Sequence, residues 1–142
     1  MDPELLERVQ RRATRMVPEL RDLDYEDRLR KLDLPSLMYR RQRGDLIEVF
    51  KYQKGLYRVE SERLLPPATE GRTRASHEFK IFKQQCRIDV RKKFFGLRVV
   101  KVWNSLPDSV VQAPTVNCFK GRLDRHLRDY KFATTFPLIP DP

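Results

Sequence analysis

Apolar side chains recur at intervals of three and four residues through most of this chain, which is the spacing of an amphipathic helix. In the first such stretch, Leu6, Val9, Ala13 and Met16 form one stripe, and Pro18 ends the helix. The same pattern predicts four more helices, over residues 25–32, 36–54, 94–106 and from Thr115 to about Tyr130. The fourth of these is apolar on nearly all sides, so its tryptophan, Trp103, is expected in the core.

Polar residues mark where these helices start and how their outer faces are paired. We expect Asp24 to cap the second helix and Thr115 to cap the last, because their side-chain oxygens accept from free N–H groups of the first turn. On the last helix, Asp124 is spaced to pair with Lys120 and Arg128 across one turn. These pairs predict a solvated face.

The period of the pattern changes to two between residues 78 and 91. Phe79 and Ile81 alternate with polar neighbours, and a second alternation follows over 86–90. Two short paired strands with one basic face fit this pattern. The predicted fold class is therefore mainly α, a helical domain of about five helices with a small two-stranded β element around residues 78–91.

Changes in composition divide the chain into four segments. Proline, glycine and scattered charge make the second of them a loop or linker, and three prolines without any periodic pattern make the last one a flexible tail. The segments are a helical segment over 1–55, the linker over 56–73, the basic β element with two helices over 74–130, and the tail over 131–142.

Positive charge is concentrated in the middle of the chain. The sequence carries a net charge of +10. Residues 72–101 hold ten Lys and Arg against two acids, which is eight of those ten charges. Such an excess attracts a polyanion, and the RNA or DNA backbone is the first candidate. The candidate phosphate contacts are Arg87, Arg91, Lys92, Lys93, Arg98 and Lys101, extended by Arg8, Arg12 and Arg15 opposite the apolar stripe of the first helix.

Signatures of catalysis and of metal binding are missing from the sequence. No glycine-rich phosphate loop is present, and neither His77 nor His126 lies in a zinc-binding or nucleophile–base motif. Cys86 and Cys118 are too few for a disulfide framework or a zinc site. There is no apolar run near the ~20 residues of a membrane span and no signal peptide. We expect an intracellular protein of the nucleus or cytoplasm, not an enzyme, with no cofactor, no metal and no membrane partner.

Four segments carry recognisable motifs, of which Val9-Gln10-Arg11-Arg12-Ala13-Thr14 and Trp103-Asn104-Ser105-Leu106-Pro107 are fairly specific in that order. They lie at residues 5–15, at 34–49, at 90–100 and at 102–124, the last beginning with Val102-Trp103-Asn104-Ser105-Leu106-Pro107. Together these segments resemble the region downstream of the catalytic palm in reverse transcriptases of non-LTR retrotransposons, the LINEs of the jockey or chicken-repeat type. The resemblance covers about residues 5–128.

This resemblance implies a polymerase thumb and the segment after it. It makes residues 1–55 thumb-like, and it implies a surface that grips template RNA and the growing duplex by the backbone. The paired aspartates of the family's metal site have no counterpart, because the sequence contains no Asp-Asp pair. We therefore interpret the chain as a non-catalytic fragment, related to an RNA-directed DNA polymerase, that binds RNA or DNA electrostatically.

Protein–protein interaction is the alternative interpretation. In the parent polymerase the first helix would pack on residues outside this chain, so its apolar stripe is expected to be exposed here. A domesticated module would use that stripe to dock on an intact polymerase or to self-associate, with the basic window merely solvated. The residues concerned are Leu5, Leu6, Val9 and Met16.

Overall fold

A computed structural model describes residues 3–58, 65–68, 77–82 and 99–134 of the chain. Most of these residues are helical, so the predicted mainly α class is confirmed. None of the helices in these ranges is long and apolar enough to cross a membrane. The helices are α1 (Pro3–Arg15), α2 (Tyr25–Leu32), α3 (Leu37–Gln53), α4 (Val100–Ser105), α5 (Asp108–Val111) and α6 (Val116–His126), with 3-10 turns at Pro18–Leu20 and Arg128–Tyr130.

The helix limits follow the periodic pattern closely. α2 has the predicted span, and α3 lies within one residue of its predicted limits at each end. Of the predicted helix over 94–106, the part from Val100 onward is seen as α4, and its first residues lie outside the described ranges. The single turn α5 was not predicted, because four residues are too few to show a helical period.

One hydrophobic core joins the predicted N-terminal and C-terminal segments. α3 packs against α6, and the rings of Phe50 and Phe119 stack with centroids 4.3 Å apart. Trp103 lies 6.0 Å from Phe119 and is fully buried, as its apolar helix predicted. Leu65 from the predicted linker is buried in the same core. The described parts of the predicted segments 1–55 and 74–130 therefore share one core.

The caps of the helices agree with the sequence pattern at one of two predicted positions. Thr115 accepts a hydrogen bond from the backbone N–H of Cys118 at 3.2 Å, as expected. Asp24 occupies the N-cap position of α2 with an extended backbone, but its side chain forms no capping hydrogen bond. The capping prediction for Asp24 is wrong, and its carboxylate is left for other contacts.

The segment predicted as the first strand of the β element pairs with a different part of the chain than expected. The first predicted strand does not form a regular strand, and Ile81 makes an isolated antiparallel bridge to Pro67 in the predicted linker. Two backbone hydrogen bonds, of 2.9 and 2.7 Å, join residues 66–68 to residues 80–82 on this side. The second predicted strand, over 86–90, lies outside the described residues.

Asn104 occupies the opposite edge of the same segment. Its side-chain oxygen accepts from the N–H of Ile81 at 2.9 Å, and its amide nitrogen donates to the carbonyl of Ile81 at 2.8 Å. An asparagine carries one acceptor and a donor group on the same side chain, so it imitates a neighbouring strand. Because both edges of residues 80–82 are occupied, they offer no free edge for the hairpin that the sequence predicted.

His77 packs against Trp103, which lies in α4 next to Asn104. Its Nε2 donates to the carbonyl of Trp103 at 3.0 Å, and the two rings meet edge to face at 5.8 Å. The indole N–H of Trp103 in turn donates to the carbonyl of Phe79 at 2.8 Å. Burial of the imidazole lowers the pKa of His77 below its ordinary value. The Trp103-Asn104 pair thus fixes residues 77–82 against α4.

A bidentate ion pair links α3 to α6 beside the core. Arg43 donates to both carboxylate oxygens of Asp124, at 2.5 and 2.9 Å, and the hydroxyl of Tyr39 donates to the same carboxylate at 3.2 Å. Arg43 lowers the pKa of Asp124, and burial beside that carboxylate raises the pKa of Tyr39 to about 12. Asp124 was predicted to pair along its own helix. Asp124 bonds to Arg43 of α3 instead, because the planar guanidinium binds both carboxylate oxygens.

The chain after the last helical turn is attached to the start of α3. Ser36 donates its N–H to the carbonyl of Lys131 at 3.0 Å and its hydroxyl to the carbonyl of Ala133 at 2.7 Å. The ammonium of Lys131 donates to Asp33 at 2.7 Å. The first residues of the predicted flexible tail over 131–142 thus contact the rest of the protein, and 135–142 lie outside the described residues.

The buried imidazole makes stability depend on pH. The unfolded chain protonates His77 near pH 6.5 while the folded chain keeps it neutral, so folding is favoured above that pH and weakened below it. We expect the free energy of unfolding to fall between about pH 7 and about pH 5.5, and His77→Gln to flatten this dependence. His126→Gln, at the exposed second histidine, is the control and should retain the full slope. Urea denaturation at a series of pH values measures the free energy of unfolding of both variants. If this free energy depends on pH equally in the two variants, the prediction is contradicted.

Candidate nucleic-acid interface

α1 has three chemically distinct faces. Successive residues of a helix are about 100° apart, so its side chains fall into three groups roughly a third of a turn from one another. One group is polar and points into the protein, one is basic, and one is apolar. The three groups are Glu7, Gln10 and Thr14; Arg8, Arg11, Arg12 and Arg15; and Leu6, Val9, Ala13 and Met16.

The polar face attaches α1 to the rest of the protein. Glu7 accepts from the hydroxyl of Tyr25 at 2.5 Å and from the backbone N–H of Met38 at 3.2 Å. Gln10 donates to the Tyr25 hydroxyl and to the carbonyl of Pro35, both at 3.2 Å. Because these contacts use the polar side of α1, its other two sides are left facing outward. Burial and the neighbouring carboxylate raise the pKa of Tyr25 well above its ordinary value.

A buried guanidinium closes the C-terminal end of α1. Arg28 is 5% exposed and donates Nε to the hydroxyl of Thr14 at 3.2 Å. It also donates to the carbonyl of Leu23 at 2.6 Å and to that of Arg11 at 3.4 Å. The last carbonyls of a helix lack partners within the helix and carry its negative dipole end. The buried cation therefore adds a second donor to the Arg11 carbonyl, which also accepts from the Thr14 hydroxyl at 3.0 Å, and it supplies a donor to the carbonyl of Leu23.

The basic face of α1 forms one wall of a groove whose other wall is the turn into α2. We call it the arginine groove. Its volume is about 660 Å³. The guanidinium of Arg11 lies 4.9 Å from the centre of the Tyr25 ring, and that of Arg28 lies 5.6 Å from it. The residues that line the groove are Arg8, Arg11, Arg12, Arg15, Arg21, Asp22, Leu23, Asp24, Tyr25 and Arg28.

Most of the charge in the arginine groove is unneutralised. Six arginines face two aspartates, an excess of four positive charges. All the arginines except Arg28 are exposed. In the part of the chain that the structure describes, no salt bridge involves the exposed arginines of the groove or either aspartate. The groove is therefore an open, concave, positively charged surface, which concentrates anions.

The structure brings together only some of the predicted phosphate contacts. Arg8, Arg12 and Arg15 all line the arginine groove. Lys101 is exposed on α4 and is not a lining residue. Arg11 could have been added from its helical spacing, but Arg21 and Arg28 have no sequence signal, because only the packing of α2 on α1 places them. The remaining predicted contacts lie outside the described residues: Arg87, Arg91, Lys92, Lys93 and Arg98.

The apolar face of α1 lines a second groove. It meets the end of α2 and the start of α3 around a volume of about 470 Å³, here called the apolar groove. Val9 is 67% exposed and Met16 is 75% exposed, while Leu5 and Leu6 are about half exposed. The expected exposure of this stripe is confirmed. The groove is lined by Leu6, Val9, Gln10, Ala13, Thr14, Val17, Leu32, Leu34 and Leu37.

Comparison with known proteins adds no further assignment. No family model matches the chain, and neither a curated protein nor a solved structure is detectably similar to it. Among the described residues, no three His, Cys, Asp or Glu side chains converge so as to hold a metal ion. The site is therefore defined by its own geometry.

Removal of the buried guanidinium should loosen α1. We expect Arg28→Met to lower the free energy of unfolding by about 2 kcal/mol, because it leaves buried oxygens without a donor. Arg30→Met is the control: Arg30 is exposed, and its ion pairs with Glu26 and Asp27 are worth less than about 1 kcal/mol. Urea denaturation of the two variants measures the difference. Equal losses would contradict a structural role for Arg28.

Proposed function

We propose that this protein binds the phosphate backbone of nucleic acid in the arginine groove. The observation that carries the proposal is the convergence of exposed arginines from α1 and from the following turn on one concavity, without ion-pair partners among the described residues. Guanidinium groups bind phosphate oxygens in a bidentate manner, and binding releases the counterions that the polyanion holds. Both effects favour a nucleic-acid strand over a singly charged ligand.

The spacing of the arginines along α1 suits a repeating anion. A helix rises 1.5 Å per residue, so Arg8 and Arg12 are about 6 Å apart along the axis, as are Arg11 and Arg15. Arg21 stands in the turn on the opposite wall. The arginines of α1 are thus spaced to contact successive phosphates of one strand. This array carries no base-reading motif, so the binding is expected to depend little on base sequence.

We also propose that the chain is a non-catalytic relative of the post-palm region of LINE-type reverse transcriptases. Two of the resembling segments support this by their roles in the molecule. Residues 5–15 carry the basic face of α1, and residues 102–107 contain the Trp103 and Asn104 contacts that hold residues 77–82. On this proposal, basic residues of the window 72–101 also contact phosphates.

Replacement of the groove arginines should weaken the salt dependence of binding. We expect wild-type affinity for duplex DNA to fall with salt at a log–log slope of about −4 to −5. The triple variant Arg8→Ala, Arg12→Ala, Arg15→Ala should flatten that slope by about two to three units, because each lost phosphate contact removes about 0.9. Fluorescence anisotropy with a labelled oligonucleotide over a series of salt concentrations measures the slope.

A charge-matched variant separates the groove from the overall charge. Arg40, Arg125 and Arg128 are exposed on other parts of the protein, and their triple replacement by alanine removes the same net charge. This charge-matched variant should leave the slope of log affinity against log salt nearly unchanged. A parallel variant with Arg91, Lys92 and Lys93 replaced tests the central window, where a flattening of about three units is expected. If the groove variant and the charge-matched control behave alike, the arginine groove is not the binding site.

A second candidate function is protein–protein interaction through the apolar groove. The specific observation is the exposure of Val9 and Met16 beside a concave apolar surface, since soluble monomers seldom expose contiguous apolar patches of this kind. An apolar helix from a partner, or from a second copy of this chain, fits such a groove. The basic and apolar faces are on different sides of α1, so the two functions are compatible.

Charge placed on the apolar face tests this second function. We expect purified wild-type protein to self-associate in a concentration-dependent manner, and Val9→Glu, Met16→Glu to leave it monomeric, because burying a carboxylate in an apolar interface is costly. Multi-angle light scattering measures the mass. The control is Leu56→Glu, at an exposed leucine outside the apolar groove, which should not change the mass. A wild-type protein that is monomeric at every concentration rules out self-association.

A further inference from the structure

Two carboxylates lie inside the arginine groove without a visible structural task. Asp22 and Asp24 line the groove, and both are exposed. Asp24 holds the N-cap position of α2 but does not cap it. Neither aspartate forms a salt bridge within the described residues, although six arginines line the same groove. Their oxygens are therefore free to accept hydrogen bonds from a ligand.

A ligand made of phosphate alone gains nothing from these aspartates. Each carboxylate repels a phosphate and lowers the positive potential of the groove. An ionised carboxylate is an acceptor only, so it binds a ligand that donates. A ligand that matches both groups carries anions and hydroxyl donors in alternation. The ribose–phosphate backbone has this composition, because each sugar adds a 2′-hydroxyl beside the phosphate, and the deoxyribose backbone lacks that donor.

Most of the arginines and both aspartates are on different walls of the groove. Four of the six arginines lie on α1, and the aspartates lie on the turn that leads into α2, where Arg21 also stands. A strand lying along the groove with its phosphates toward α1 presents its sugars to the turn. The carboxylates are then on the side of the sugars, and neither is held in a salt bridge within the described residues.

We propose that Asp22 and Asp24 are specificity determinants that make the arginine groove prefer RNA to DNA by accepting hydrogen bonds from ribose 2′-hydroxyl groups. This inference rests on the proposed binding of nucleic acid in the groove. It adds the class of strand that is preferred and the residues that choose it. The arginines supply affinity for either backbone, and the aspartates supply the difference between them.

Matched oligonucleotides test this preference directly. Oligo(U) and oligo(dU) of equal length differ only at the 2′ position, and 2′-O-methyl-oligo(U) keeps an RNA-like sugar but loses the donor. We expect the wild-type protein to bind oligo(U) about five-fold more tightly than the other two at one fixed salt concentration. Anisotropy titration of the full chain with each labelled strand measures the three dissociation constants.

The double variant Asp22→Ala, Asp24→Ala should shift the two affinities in opposite directions. Binding of oligo(dU) should tighten about three-fold, because two repulsive charges are removed, while binding of oligo(U) should weaken as its acceptors are lost. The ratio of the dissociation constants for oligo(dU) and oligo(U) then approaches one. Asp27→Ala, Asp129→Ala removes the same net charge outside the groove and should preserve the ratio. Circular dichroism of both variants checks that the helices are retained.

The outcomes separate this inference from the function on which it rests. If the wild type binds none of the strands, the proposed function fails, and this inference fails with it. If it binds all three strands equally, or if the ratio survives in the Asp22, Asp24 variant, nucleic-acid binding stands and the assignment of the aspartates is overturned. If 2′-O-methyl-oligo(U) binds as well as oligo(U), sugar shape and not the donor is read, which also overturns it.

Discussion

The position of α1 depends on the polar contacts made by its inward face. The buried guanidinium of Arg28 contacts the Thr14 hydroxyl and the Arg11 carbonyl, and at the other end of the contact the Tyr25 hydroxyl joins Glu7 to Gln10. A hydrophobic attachment would have turned the Leu6–Met16 stripe inward and closed the apolar groove. Because the attachment is polar, the basic and apolar faces are both presented to solvent, and both candidate functions follow from that orientation.

The rest of the molecule provides a frame for this helix. α3 and α6 form the apolar centre, and the Arg43–Asp124 pair adds a directed contact at its margin. Trp103 and Asn104 use their polar atoms to hold residues 77–82, so two conspicuous residues of the sequence have structural tasks. This explains why an exposed stacking role does not apply to the tryptophan. The contacts of Ser36 with residues 131 and 133 then tie the end of α6 to the beginning of α3.

The sequence predicted the helices well because their apolar positions repeat over several turns. It failed where a tertiary partner replaced a local one. Asp124 was expected to bond along its own helix and bonds to Arg43 instead, and Ile81 was expected in a hairpin but is held by Asn104. The arginine groove shows the same difference between what local spacing predicts and what tertiary packing adds. Helical spacing placed Arg8, Arg12 and Arg15 on one face, but only the packing of α2 on α1 adds Arg21 and the two aspartates.

The three-sided design of α1 has a consequence for how the protein can change over time. Val9 and Met16 are exposed and do not line the arginine groove, so substitutions there leave the basic face unchanged. Two ligands bound at once would sit across a single helix, about 10 Å from one another. If both proposed functions hold, one short segment joins two separate binding faces while its third side keeps it anchored.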